Sequence, residues 1–204
     1  MGELRESKKR ETRQRISNVA TKLFIARGFD AVTLDEIAAA SEVSKMTVFN
    51  YFARKEDLML DREDDLRLQP FRDAIRERPR GQSPVDALRA VVNTLNERKL
   101  PFSRIESQTL DWWKTVVDSA SLTARMRELL DEAAEGLATE LGGAKPDGTA
   151  RLMAGLIVLT VRTSREEALR VLERGGSAKK ANAAFMELME RGLAAVDALA
   201  KQSR

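Results

Sequence analysis

Residues 41–58, SEVSKMTVFNYFARKEDL, place three aromatics within four positions around a lone Asn50. Ser44 stands where an N-cap belongs, and Val48 and Phe52 lie four apart. The segment therefore predicts a helix of about two turns. A helix that short does not survive alone in water, because nucleation is costly and few bonds repay it. It has to be braced by neighbours, and this narrows the fold to one in which short helices pack as a cluster. The neighbours are legible upstream. Ile16, Val19, Ala20, Leu23 and Phe24 recur at spacings of three and four, giving a first helix with one apolar stripe that stops at Gly28. Thr33 and Glu36 form a capping box that opens a short second helix carrying Leu34, Ile37 and Ala38.

Burying Val48 and Phe52 against Ile37, Ala38, Leu23 and Phe24 turns Lys45, Met46, Phe49 and Asn50 outward, with Thr47 and Tyr51 at the edges. Two short helices joined by a tight turn, the second exposing a cation, an amide and hydroxyls, are the makings of a helix-turn-helix. Asn50 suits an adenine edge, Lys45 a guanine or a phosphate, and Met46 or Phe49 a thymine methyl. The hydroxyls of Thr33, Ser44, Thr47 and Tyr51 suit phosphate oxygens. A non-DNA alternative stays open: Met46, Phe49 and Asn50 also make a surface on which a protein partner could dock.

Charge supports the first reading. Residues 1–55 hold 11 Lys or Arg against 7 Asp or Glu, and residues 56–204 hold 24 against 25, so the whole basic excess sits in the first quarter. A basic module on a near-neutral body fits a polyanion at one end, and a solubilising N-terminal segment is the plainer alternative. The chain has no cysteine and no histidine. Disulfides, thiolate nucleophiles, Cys/His metal sites and the usual neutral-pH general base are thereby excluded. A carboxylate-dependent enzyme is the surviving catalytic alternative, but no paired carboxylates are predicted. "DREDD" at 61–65 reads as a solvated helix face. No enzyme activity, cofactor or metal is expected. No apolar run approaches the roughly 18 residues of a membrane span, and no secretory h-region opens the chain, so a cytoplasmic protein is expected.

The rest of the chain lacks strand-like alternation and reads as all-α. A fourth helix begins near Lys55 and is expected to stop or kink at Pro70. Ser83, Pro84 and Asp86 open another, and Gly142 with Gly143 closes a helix that starts near Leu122. A long helix follows from about Gly148 to Glu173, and Ser177 caps the last one. In that last helix Phe185, Leu188, Met189, Gly192 and Val196 belong to a regular apolar stripe. Residues 152–161, with Leu156 and Leu159, are apolar around the whole circumference and need covering on every side. These residues predict a homodimer interface built as a four-helix bundle, with monomer core as the alternative.

The stretch LFIARGFDAVTLDEIAAASEVSKMTVFNYFARKEDL resembles the TetR family of bacterial transcriptional regulators. The match rests on Leu23-Phe24, Gly28-Phe29, Thr33, Ile37-Ala38, Val43-Ser44, Thr47, Phe52 and Lys55-Glu56. The resemblance implies a helix-turn-helix DNA-binding domain over 1–54 and a larger helical ligand-binding and dimerisation domain over 55–204. It implies a dimer on a double-stranded DNA operator, released by a small-molecule effector. Carried over by position, it sets Thr33, Ser44, Lys45, Thr47, Phe49, Asn50, Tyr51 and Lys55 at the DNA. The chain departs from the family pattern at Glu42, where the turn usually has Gly, at Met46 and Phe49 in the recognition helix, and at Arg54, in place of an ordinary N-cap. The FNYF variant resembles members that respond to acyl-CoA, so an apolar or amphipathic effector is expected. Phe102, Trp112, Trp113, Met126, Met153 and Arg162 are the candidate ligand contacts, with core packing the alternative for each apolar one.

Overall fold

The computed structural model describes residues 2–61, 66–98 and 107–202. Among them the regular structure is helical throughout, with no strand. In chain order the helices are α1 (Gly2–Arg27), α2 (Leu34–Ala40), α3 (Lys45–Tyr51), α4 (Lys55–Met59), α5 (Gln69–Glu77), α6 (Pro84–Glu97), α7 (Ser107–Asp118), α8 (Ala120–Gly142), α9 (Gly148–Glu173) and α10 (Ala178–Gln202). The chain divides into two compact units, one formed by residues 1–61 with 111–126, the other by 62–110 with 127–204. The expected division after residue 54 therefore falls inside the first unit, because α4 packs on α1.

In the first unit, α1 packs on α2 and α4, and α2 on α3. Ile16, Ala20, Phe24, Ile37, Val48, Phe52 and Leu58 are buried and form the core of the cluster. Local chemistry sets each boundary. The N–H of Gly28 donates to the Phe24 carbonyl, and its φ of 86° ends α1 in the left-handed region, which costs glycine nothing. Thr33 and Glu36 close the capping box in both directions around the start of α2. Ser44 accepts from the Thr47 N–H at 3.0 Å and starts α3. Glu42 does hold a left-handed backbone, with φ 54°, which costs a non-glycine residue roughly 1 kcal/mol. Arg54 makes no side-chain cap at the start of α4.

Pro70 does not end a helix. α4 stops at Met59, and Pro70 sits in the first turn of α5, after Leu68 in a left-handed backbone. A first turn has no intrahelical acceptor for its N–H groups, so proline loses nothing there. In the second unit α5 packs on α6, α6 on α10, and α9 along α10. Gly136 on α8 leaves room for Arg72, whose Cζ would lie 2.8 Å from an added Cβ.

The apolar stripe of α10 faces inward. Phe185, Met189 and Val196 have no exposed surface within the chain. Gly192 is the point of closest approach to α9, where an added Cβ would lie 2.2 Å from Thr160 Oγ1. These four residues, expected at a subunit interface, are occupied by the chain's own α9 and α6. On α9 the circumference divides: Met153, Ala154, Ile157, Val158 and Val161 are buried, whereas Leu152 and Leu159 are 53% and 51% exposed. Leu156 and, on α10, Leu188 are partly exposed.

Candidate nucleic-acid interface

The exposed side of α3 is built from its buried side. Val48 is 1% exposed and anchors the helix on the cluster, and Phe52, 3% exposed, closes it by donating its N–H to the Val48 carbonyl at 2.9 Å. With that face fixed, Met46 stands 68% and Phe49 48% exposed, and Lys45 and Asn50 are also exposed. Thr47 and Tyr51 are half-buried at the edges. Apolar surface of this extent, next to an amide and an ammonium, forms one ridge along the outer face of the helix.

The polar groups around the ridge are organised. Ser44 Oγ and Thr47 Oγ1 lie 2.8 Å apart. The Thr33 hydroxyl donates to Glu36 Oε2 at 2.9 Å, and the Thr33 N–H reaches the same oxygen at 2.8 Å. These bonds to Thr33, with the Arg27 guanidinium beside them, hold the Glu36 carboxyl down at about 2. Lys45 Nζ donates to Asp35 Oδ2 at 2.8 Å. Lys55 Nζ donates to the Phe29 carbonyl at 2.7 Å and lies 4.3 Å from the Phe29 ring centre, so much of its chemistry is spent tying α4 to the turn after α1.

Arg13 is a residue the local sequence pattern did not single out. Its guanidinium donates to the Tyr51 carbonyl at the end of α3, pairs with Asp61 at 2.7 Å, and lies 4.5 Å from the Phe52 ring centre. A cation at a helix C-terminus complements the macrodipole, and this one fixes the far end of α3 to α1. Its partners lie 38 and 48 residues away, beyond the reach of any short-range pattern.

The profile described as "Bacterial regulatory proteins, tetR family" matches residues 16–61, which run from Ile16 of α1 through the α2–α3 pair to just past α4. The chain is also 35% identical over 101 residues to the "HTH-type transcriptional regulator TcmR" of Streptomyces glaucescens, covering 48% of this chain and 44% of that protein. Residues 16–61 thus carry a segment similar to the DNA-binding part of TetR-family regulators. Its similarity spans less than half the length of TcmR. Two solved structures share the fold of the chain over most of its length. The SmeT–triclosan complex gives a TM-score of 0.60 at 19% identity, covering 91% of each chain. NalD of Pseudomonas aeruginosa, the secondary repressor of the MexAB-OprM multidrug efflux pump, gives 0.55 at 18% identity, covering 91% of this chain and 97% of its own.

The expected ligand contacts divide between the two units. Phe102 lies outside the described residues. Trp112, Trp113 and Met126 belong to the first unit and Met153 and Arg162 to the second. Trp112 is buried, donates its indole N–H to the Met59 carbonyl at 3.2 Å, and meets the Trp113 ring edge to face at 5.2 Å. Arg125 pairs with Asp57 of α4 at 3.0 Å. Arg162 is a surface residue, half exposed and paired with Glu166 one turn on at 3.1 Å, because its position on α9 points away from the buried side. An open cavity of about 650 Å³ does occur in the first unit, but its lining comes from Phe24 to Ala31 and the Asp111, Lys114, Thr115 and Asp118 side of α7. Among the described residues no group of three or more acidic residues is placed to hold a metal ion.

Proposed function

We propose that the chain is a ligand-responsive, sequence-specific DNA-binding transcriptional regulator that acts as a homodimer and represses at a near-palindromic operator. The observation that carries this reading is the ridge of α3: Lys45, Met46, Phe49 and Asn50 stand outward over buried Val48 and Phe52, inside the segment that matches the family. Asn50 is assigned to an adenine edge, Met46 and Phe49 to apolar contact with thymine methyls, and Lys45 to base recognition. Thr33, Ser44, Thr47 and Tyr51 are assigned to phosphates, with Lys55 beside them.

Two such ridges, one per subunit, enter successive major grooves about 34–36 Å apart. The second subunit is assigned to the outer side of α9, where Leu152, Leu156 and Leu159 leave apolar surface uncovered, with Leu188 of α10 beside it. The effector is a small apolar or amphipathic molecule. SmeT has been solved with triclosan, which supports an apolar ligand for this fold. Trp113 and Met126, both in the first unit, remain the assigned contacts. A coupling of about 1–3 kcal/mol between effector and operator suffices to change occupancy. No helix among the described residues is long and apolar enough to cross a membrane, and we place the protein in the cytoplasm.

The test is selection of duplexes from a random pool, followed by titration of the selected duplex across salt concentrations and release with candidate metabolites. A steep salt dependence with a two-fold symmetric preferred sequence is expected. Absence of salt-dependent duplex binding removes the reading and favours the protein-docking alternative.

A further inference from the structure

The basic side chains around the ridge of α3 are held by acidic partners of very different exposure. Arg13 pairs with Asp61, whose side chain is 7% exposed, and Arg27 with Glu36, which is 40% exposed. Lys45 pairs with Asp35, which is 70% exposed. Asp35 lies in the first turn of α2, and Lys45 is the first residue of α3, the helix packed against it. An ion pair this open contributes about 1 kcal/mol or less to stability. A carboxylate beside a surface meant for phosphates also repels them. Folding uses Asp35 as a first-turn carboxylate that complements the dipole of α2, but that role needs no lysine opposite it, and general attraction to DNA is opposed by it.

Its geometry matches a base-pair edge. Lys45 Nζ and Asp35 Oδ2 present a donor and an acceptor 2.8 Å apart. In the major groove a G·C pair presents guanine O6 and N7 as acceptors and the cytosine N4 amino group as a donor. O6 and N4 are hydrogen-bonded to each other and so lie about 3 Å apart. An A·T pair presents the same groups in another order, with the adenine N6 donor between the adenine N7 and thymine O4 acceptors, so its acceptors are split and do not sit side by side for one ammonium.

We propose that Asp35 is a specificity-determining residue and that it acts with Lys45 as one unit reading a G·C pair, Lys45 donating to guanine and Asp35 accepting from cytosine N4. The inference rests on the DNA-binding reading above. It has a second consequence. Neutralised by Asp35, Lys45 releases no counterion from a random duplex, so Asp35 lowers non-specific affinity as well as selecting a base pair.

The experiment repeats the duplex selection with the full chain and with Asp35→Asn, Asp35→Glu and Lys45→Gln, with thermal melts to establish that each is folded. Asp35→Asn is expected to erase one G·C column from the selected sequence and to lower the ratio of selected to scrambled affinity on the order of tenfold. Its salt slope on the scrambled duplex steepens by about 0.9. Lys45→Gln erases the same column, and Asp35→Glu keeps the weak affinity for scrambled DNA. Unchanged columns, ratio and slope in folded Asp35→Asn overturn the inference while leaving the DNA-binding reading standing, as does the loss of different columns by the two variants. If the unsubstituted chain prefers no duplex, the DNA-binding reading fails and this inference with it.

Discussion

At the residue scale, the ridge of α3 and its caps make separable predictions. Asn50 is exposed and contributes nothing to the core. Asn50→Ala is expected to cost about 1–3 kcal/mol on the selected duplex and almost nothing on a scrambled one; equal loss on both would remove its base-reading role. Lys55 behaves differently, because its ammonium already serves the Phe29 carbonyl and ring. Lys55→Ala is expected to lower the melting temperature as well as weaken every duplex alike, and a melt alongside the titration separates the two. Glu36 carries a pH dependence. Its folded carboxyl titrates at about 2 instead of the ordinary 4.5, held down first by the Thr33 backbone bond and then by Arg27. A depressed acid contributes stability that is complete above its unfolded value and is lost as pH falls toward the folded one. Unfolding midpoints followed by circular dichroism should therefore decline between about pH 4.5 and 2, and Glu36→Gln should flatten that decline.

At the element scale, the helix ends were legible in the sequence and the helix partners were not. Thr33, Ser44, Ser83 and Ser177 cap the helices expected of them, because a cap and the N–H it serves lie within three residues of each other. Pro70 is ambiguous for a physical reason: proline is excluded from a helix interior but welcome in a first turn, and nothing local says on which side the helix lies. The α10 stripe was legible as a stripe. That α9 of the same chain covers it followed only from the packing. Gly192→Ala is expected to cost about 1–3 kcal/mol by forcing α9 and α10 apart at Thr160, measurable by denaturant unfolding. Ser164 offers the opposite test on α9. Its hydroxyl is fully buried without a hydrogen-bond partner among the described residues, so Ser164→Ala should be neutral or stabilising.

At the scale of the whole molecule, the proposed dimer rests on apolar surface that the chain itself leaves open. Leu152 and Leu159 lie seven residues apart on one side of α9 and are both about half exposed. The double substitution Leu152→Lys, Leu159→Lys keeps the α9–α10 core intact, and sedimentation should show it as a monomer where the parent is a dimer. A monomeric parent would refute the interface. The variant should also lose operator affinity far more than Asn50→Ala, since it uncouples two ridges instead of weakening one contact in each.

The all-helical class, the three-helix cluster at the N-terminus and the outward face of α3 follow from residue order alone. Those depend on spacings of three and four residues and on caps whose partners are adjacent. Only the tertiary structure decided that Arg13 clamps the end of α3, that Asp35 holds Lys45, and that Phe185, Met189, Gly192 and Val196 pack within their own chain. Each joins residues on different helices, 10 apart for Lys45 and Asp35 and 38 apart for Arg13 and Tyr51. Hydrophobic burial fixes that an apolar stripe must be covered, but it is non-directional, and only packing settles which surface does the covering.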